Sequence, residues 1–151
     1  MADKQIVVFS LLSEEYGLEI TSVKEIVRFQ QVTKIPEAPV YVKGVINLRG
    51  EVIPVVDLKQ RFYGLDSEIT EDTRIVVLKV GANTIGIIAD EVSEVLRIPE
   101  DSIEPTPAIL TEHNKSGIVG VGKLADRLLI LIDMQKTLGG EELQKINKAV
   151  S

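Results

Sequence analysis

The residues best equipped for chemistry in this chain are two aspartates at matching places, one histidine, a set of glycines and an acid–arginine pair. Asp57 closes the apolar segment Val52–Val56, and Asp133 closes Leu128–Ile132. Two carboxylates supplied by duplicated β segments are the raw material of an aspartic-type hydrolase, whose acids must lie close enough to share one proton. Such dyads sit in Asp-Thr/Ser-Gly loops. Here the contexts are Asp57-Leu58-Lys59 and Asp133-Met134-Gln135. Both acids fit the N-cap of a short helix better: Leu58–Tyr63 stops at Gly64 and Met134–Leu138 stops at Gly139, the glycine stop common at helix C-termini.

His113 is the sole histidine and cysteine is absent. One imidazole with no thiolate cannot build the three- or four-ligand set of a zinc site. No nucleophile-elbow serine accompanies it either, so His113 reads as a solvated loop residue in Thr111–Ser116. Gly117-x-x-Gly120-x-Gly122 is not followed by Lys-Ser/Thr opening a helix, and its glycines lie among strand residues. Close backbone packing or bulges explain them better than a phosphate cradle. No metal, cofactor or phosphate site is expected. Glu25, between Val23 and Ile26, and Arg49, at a hairpin tip, have two readings. They form an ordinary surface pair worth about 0–1 kcal/mol, or a charged rim on an apolar surface that receives a partner.

The elements that position these residues come from a duplication. At an offset of 69 residues, Ile6-Val7-Val8-Phe9 falls on Ile75-Val76-Val77-Leu78, and Tyr16-Gly17-Leu18 on Ile85-Gly86-Ile87. Val23 to Phe29 falls on Val92 to Ile98, with Glu25 on Glu94 and Arg28 on Arg97, and Pro36 falls on Pro105. After a short insertion, Gly44-Val45-Ile46 aligns with Gly117-Ile118-Val119, and Val52–Asp57 with Leu128–Asp133. Chance accounts for apolar matches but not for Gly, Glu, Arg and Pro recurring in order.

Each copy reads as five short strands with glycine-containing turns, which suggests a small closed barrel free of exposed sheet edges. In the first copy the strands are Gln5–Leu12, Tyr16–Ile20, Ile26–Ile35, Lys43–Leu48 and Glu51–Val56. A helical turn capped by Ser22-x-x-Glu25 is expected before the third. In the second they are Arg74–Val80, Thr84–Ala89, Val95–Ile98, Ser116–Val121 and Arg127–Ile132. The fold class is therefore all-β: two pseudo-symmetric five-stranded barrels at 5–65 and 74–138, with short helices. The acidic stretch Asp66–Thr73 joins them, and a tail helix at 139–151 carries Leu143, Ile146 and Val150 on one stripe.

Composition narrows the function classes. Seventeen basic residues are dispersed among 23 acidic ones, for a net charge of −6, and aromatics are 4% of the chain. Phosphate neutralisation and base stacking are both poorly served, so nucleic acid is not an expected partner. No apolar run approaches the roughly 20 residues of a membrane span. No secretory leader is recognisable in Met1–Gln5, so a soluble, cytoplasmic protein without membrane insertion is expected.

The blocks Tyr41-Val42-Lys43-Gly44, Val45–Gly50, Val52–Leu58 and Gly86–Val92 closely resemble the bacterial chemotaxis coupling-protein family, the CheW-like proteins, and the resemblance runs from Gln5 to about Leu138. It implies two Src-homology-3-like (SH3-like) barrels packed around a shared apolar core, and an adaptor without catalytic activity. The implied partners are the regulatory domain of the histidine kinase CheA, met barrel end to barrel end, and the helical cytoplasmic tip of a chemoreceptor, seated in an apolar groove. On matching positions the receptor-binding residues are Val23, Glu25, Ile26, Gly44 and Arg49 in the first copy and Val92 and Val95 in the second. Arg28-Phe29 departs from the family pattern. No phosphoacceptor, ATP-binding or receiver segment is present, which favours a free-standing adaptor, expected to be a monomer when free. The competing readings are a small-molecule or peptide-binding barrel module, with one enclosed pocket, and the hydrolase using Asp57 and Asp133.

Overall fold

The computed structural model describes residues 3–105, 117–138 and 140–150. His113 and its flanking loop lie outside the described residues, as does Gly139. The chain runs β1 (Asp3–Leu11), β2 (Glu14–Glu19), a 3₁₀ turn (Ile20–Ser22), β3 (Val23–Arg28), β4 (Val42–Leu48), β5 (Glu51–Asp57) and α1 (Leu58–Tyr63). It continues with β6 (Arg74–Val80), β7 (Asn83–Ala89), β8 (Glu91–Pro99), a second 3₁₀ turn (Glu100–Ser102) and β9 (Ile103–Glu104). Strands β10 (Ile118–Leu124) and β11 (Arg127–Ile132) and helices α2 (Met134–Thr137) and α3 (Gly140–Val150) complete it.

The strands form two sheets that do not follow the two halves of the sequence. One has the order β3-β6-β7-β5-β4, the other β8-β1-β2-β11-β10-β9. Strands β3–β5 of the first copy are completed by the β6–β7 hairpin of the second, while β8–β11 are completed by β1–β2 of the first. The expected division at 5–65 and 74–138 therefore does not describe the sheets: the copies have exchanged their leading hairpins. Periodicity along a strand specifies which side chains are buried, not which hairpin lies alongside.

Both sheets curl. Strand β8 reaches β9, at the far edge of its own sheet, through a three-residue 3₁₀ turn. Six strands laid flat would hold those edges about 24 Å apart, while three 3₁₀ residues cover only about 6 Å. In the other sheet, the segment after β3 comes round to β4, where Thr33 and Val45 exchange backbone hydrogen bonds of 2.9 and 2.8 Å. These are the two SH3-like barrels. Barrel 1 is the β3–β7 sheet, and barrel 2 holds β1, β2 and β8–β11.

Alternation along the strands divides the apolar side chains into three cores. Ile46, Ile53, Val55, Ile75, Val77 and Ile88 fill barrel 1, and Ile6, Val8, Ile98, Leu129 and Leu131 fill barrel 2. Between them lies the shared core, drawn from both sheets and including Phe9, Tyr16, Leu18, Val76, Leu78, Ile85, Ile87 and Ile132. Ile146 of α3 is fully buried there and Leu143 packs against it, as the tail stripe predicted.

Packing repeats as well as sequence. A Cβ on Gly17 would lie 2.5 Å from Ile6 Cγ2, and a Cβ on Gly86 would lie 2.7 Å from Ile75 Cγ2. Those are corresponding pairs in the two copies, so each barrel needs a glycine at the same crossing.

Three local expectations change. Ser22 does not open a capping box: it closes the 3₁₀ turn, donating its hydroxyl to the Glu19 carbonyl at 2.8 Å, and Glu25 is already in β3. Strand β3 ends at Arg28 and does not run to Ile35, because the chain must turn there to close the barrel. The structural counterpart of Gly44 is Gly120, not Gly117. Gly44 lies opposite Val55 after a register shift from Val42, as Gly120 lies opposite Leu131 after one from Ile118. The glycines at 117, 120 and 122 made several alignments look alike, and the hairpin pairing selects one.

Candidate functional site

Strands β3 and β8 are edge strands and structural counterparts. Val23 pairs with Leu78 and Ile26 with Val76, with a bulge between Val23 and Glu25. Val92 pairs with Phe9 and Val95 with Val7, with the register shift at the same place. The bulge has a consequence for the surface. Residues three apart on a regular strand point to opposite faces. One extra residue puts Val23 with Ile26, and Val92 with Val95, on the same face.

Directly opposed residues share a face, and Val76, Leu78 and Phe9 belong to the shared core. Val23 and Val92 pack against that core, half-buried. Ile26 and Val95 extend the same face beyond it and are 39% and 49% exposed. Each barrel thus ends on an apolar step next to the shared core.

Glu25 and Arg49 are on a different side. Glu25 lies opposite Val77, a barrel 1 interior residue, so its side chain leaves β3 from the face opposite Ile26. It forms a salt bridge with Arg49 at the barrel mouth, where the side chains are 30% and 68% exposed. Arg49 (φ +51°) and Gly50 (φ +87°) form the two-residue loop between β4 and β5, and both have the positive φ of a primed hairpin turn. Asn47 Oδ1 accepts the Gly50 amide at 2.9 Å and steadies this loop. Gly44 presents no surface. It is buried at φ +145°, and a Cβ there would fall on the Thr33 carbonyl oxygen. Its role is to let the closing segment reach β4. The seven predicted residues therefore separate into an apolar face (Val23, Ile26, Val92, Val95), a charged mouth (Glu25, Arg49) and a backbone support (Gly44).

Barrel 2 carries a charge cluster that repeat logic missed. Arg127 donates to Glu94 at 3.0 Å and lies 3.5 Å from Glu15. Hydrogen bonding to the Glu94 carboxylate, opposed by desolvation and helped by the neighbouring charge of Glu15, holds the guanidinium still further into its charged form. Glu94 is the counterpart of Glu25 and was legible as such. Its base was not, because the position corresponding to Arg49 is Ala125 and the cation arrives two residues later.

The hydrolase reading fails on partners. Asp57 is fully buried and caps α1, accepting the amides of Lys59 (3.1 Å) and Gln60 (3.4 Å). It also accepts the amide (2.9 Å) and hydroxyl (2.7 Å) of Ser67, which pins the 66–73 segment to the barrel. Asp133 caps α2 through the Gln135 amide at 2.9 Å. No hydrogen bond joins the two acids. A cleft of about 510 Å³ lies beside Gly17, Leu18 and Met134, and its charged lining is Lys4, Glu19, Lys79 and Asp133. Lys4 and Glu19 pair at 3.2 Å, Asp133 is engaged as the α2 cap, and Asp57 does not line it. Among the described residues no group of three metal-ligating side chains occurs.

Comparison with known proteins gives the family and the fold. A model of the CheW-like domain matches residues 5–142. The chemotaxis protein CheW of Klebsiella aerogenes is 37% identical over 144 residues, covering 95% of this chain and 87% of the relative. That of Bacillus subtilis is 36% identical over 141 residues, covering 93% and 90%. The crystal structure of the scaffolding protein TtCheW from Thermoanaerobacter tengcongensis matches with a TM-score of 0.82 at 40% identity, covering 94% of this chain and 92% of that one.

Proposed function

The chain belongs to the CheW-like family, and from that premise we propose that it links chemoreceptors to the histidine kinase CheA. Its role is that of a chemotaxis adaptor or scaffold, and the family membership supports an absence of catalytic activity of its own. Among the described residues no helix is long and apolar enough to cross a membrane. In this reading the adaptor works in the cytoplasm, monomeric until it meets its partners.

The observation that carries the reading is the pair of counterpart edge strands that leave Ile26 and Val95 exposed on the face of the shared core. An apolar step on each barrel suits an amphipathic helix laid along the surface. Val23, Ile26, Val92 and Val95 form the apolar part of this receptor surface. Glu25 and Arg49 supply a charged flank, and Gly44 supports the fold beneath it. The regulatory domain of CheA docks on a barrel end. Holding both partners makes the second encounter intramolecular, with avidity gains of about 10²–10⁴. A coupling of about 1–3 kcal/mol between the sites is then enough to pass a signal.

The test is co-purification with CheA and with a soluble receptor fragment, first separately and then together. The reading expects a ternary complex that outlasts either binary one. Ile26→Asp and Val95→Asp should each weaken receptor capture about tenfold or more while shifting stability by no more than about 0.5 kcal/mol. Kinase and receptor displacing each other from the chain would defeat it.

A further inference from the structure

Arg28 and Arg74 stand directly opposite each other on β3 and β6. Like charges in that position disfavour the pairing of the strands, and the arrangement is not relieved locally. Arg74 is held by main-chain oxygens: its Nη1 donates to the carbonyls of Glu71 (2.8 Å) and Thr73 (3.0 Å). Glu71 and Asp72 line the same cleft, of about 560 Å³, yet no ion pair joins either to an arginine among the described residues. Arg28 is exposed, with Phe29 behind it packed against the barrel 1 interior and Ile69 half-exposed across the cleft.

The register places this pair on the proposed docking surface. Ile26 opposes Val76 and Arg28 opposes Arg74, and positions two apart on a strand share a face. The Arg28 side chain therefore leaves the strand on the same face as Ile26, about 7 Å further along it. Barrel 2 has no such feature: at the corresponding place Arg97 opposes Gln5. We propose that Arg28 and Arg74 form a carboxylate clamp, so that the helix docked on Ile26 presents an acidic side chain about one helical turn from its apolar anchor. This rests on the receptor-docking reading and adds the partner's chemistry and its polarity. A helix bearing one acid beside the anchor is oriented, because among the described residues only barrel 1 sets two arginines opposite each other to receive it.

The test measures capture of the receptor fragment at low and high salt by wild type, Arg28→Gln, Arg28→Glu, Arg97→Gln and Ile26→Asp, with a thermal melt of each. The clamp predicts that Arg28→Gln weakens capture about tenfold, the worth of a charge-assisted hydrogen bond. Arg28→Glu should weaken it further, and both should flatten the salt dependence. Arg28→Gln should melt at or above the wild-type temperature, because it removes a like-charge contact; a residue kept for stability would do the reverse. Loss of capture in Ile26→Asp together with wild-type capture and salt dependence in both Arg28 variants would overturn the clamp and leave the docking reading standing. An equal loss in Arg97→Gln would also overturn it, since the effect would then be general charge. No capture by wild type would remove both.

Discussion

In barrel 2, Arg127 is shared between Glu94 and Glu15, and all three side chains are partly covered. In barrel 1, Arg49 pairs with Glu25, its one ion-pair partner among the described residues, from a hairpin tip with two-thirds of its side chain in solvent. The strands beneath the two sites match to the level of the bulge, so the backbone does not account for the difference. Duplication copied the acid, and each barrel then found its base on a different residue of the following hairpin. The same holds one step along the edge strand, where barrel 1 has two opposed arginines and barrel 2 has arginine opposite glutamine. Interior geometry tolerates little divergence because a misplaced methylene is felt by close-packed neighbours. Rim charges are free to diverge.

Gly44 and Gly120 give the sharpest test of how far the barrels are alike. Gly44→Ala places a Cβ on the Thr33 carbonyl and forces an L residue to φ +145°, so barrel 1 cannot close around it. Its expected cost is about 3 kcal/mol or more. Gly120→Ala meets the Glu104 carbonyl at 3.0 Å without a positive φ, and about 1 kcal/mol is expected. Urea denaturation of the two variants reads the difference directly, and equal midpoints would show that closure is equally tight in both barrels.

A smaller contrast separates the two charge sites. Arg127→Ala leaves Glu15 and Glu94 without their shared cation, and a small loss of stability is expected. Arg49→Gly removes an exposed pair but releases a left-handed residue, whose cost is roughly 1–2 kcal/mol, so stability should hold or rise. If the Arg49 variant proves the less stable of the two in chemical melts, the barrel 1 pair contributes more than its exposure allows.

The smallest effect concerns the segment that joins the copies. Hydrogen bonding from Lys43, then from Gln60, holds the Asp66 carboxyl below its ordinary range. A lowered pKa in the folded state means a contribution that is present above the unfolded pKa and lost as pH falls through the folded one. Asp66→Asn should therefore lower stability slightly at neutral pH, where the contribution is present, and converge on wild type as pH falls below about 4, with a flatter acid limb. A variant whose acid limb superimposes on wild type would show that the tether does not titrate with folding.

Much of this was readable before any coordinates. Alternating Val, Ile and Leu announced the strands, because period two is what a half-buried strand imposes. Asp57 and Gly64 bracketed α1 correctly, because capping is a local bargain between neighbouring residues. The offset of 69 residues revealed two copies, and with it Glu94 as the partner of Glu25 in kind. What stayed hidden were relations between distant segments. The exchanged hairpins, the true counterpart of Gly44, the bulge that puts Val23 and Ile26 on one face, and the meetings of Arg127 with Glu94 and of Arg28 with Arg74 all depend on strand register across the fold. A chain's own pattern specifies which side chains must leave water. Which neighbour they find there is decided only when the sheets close, because identical apolar stripes fit several pairings and only three-dimensional packing separates them.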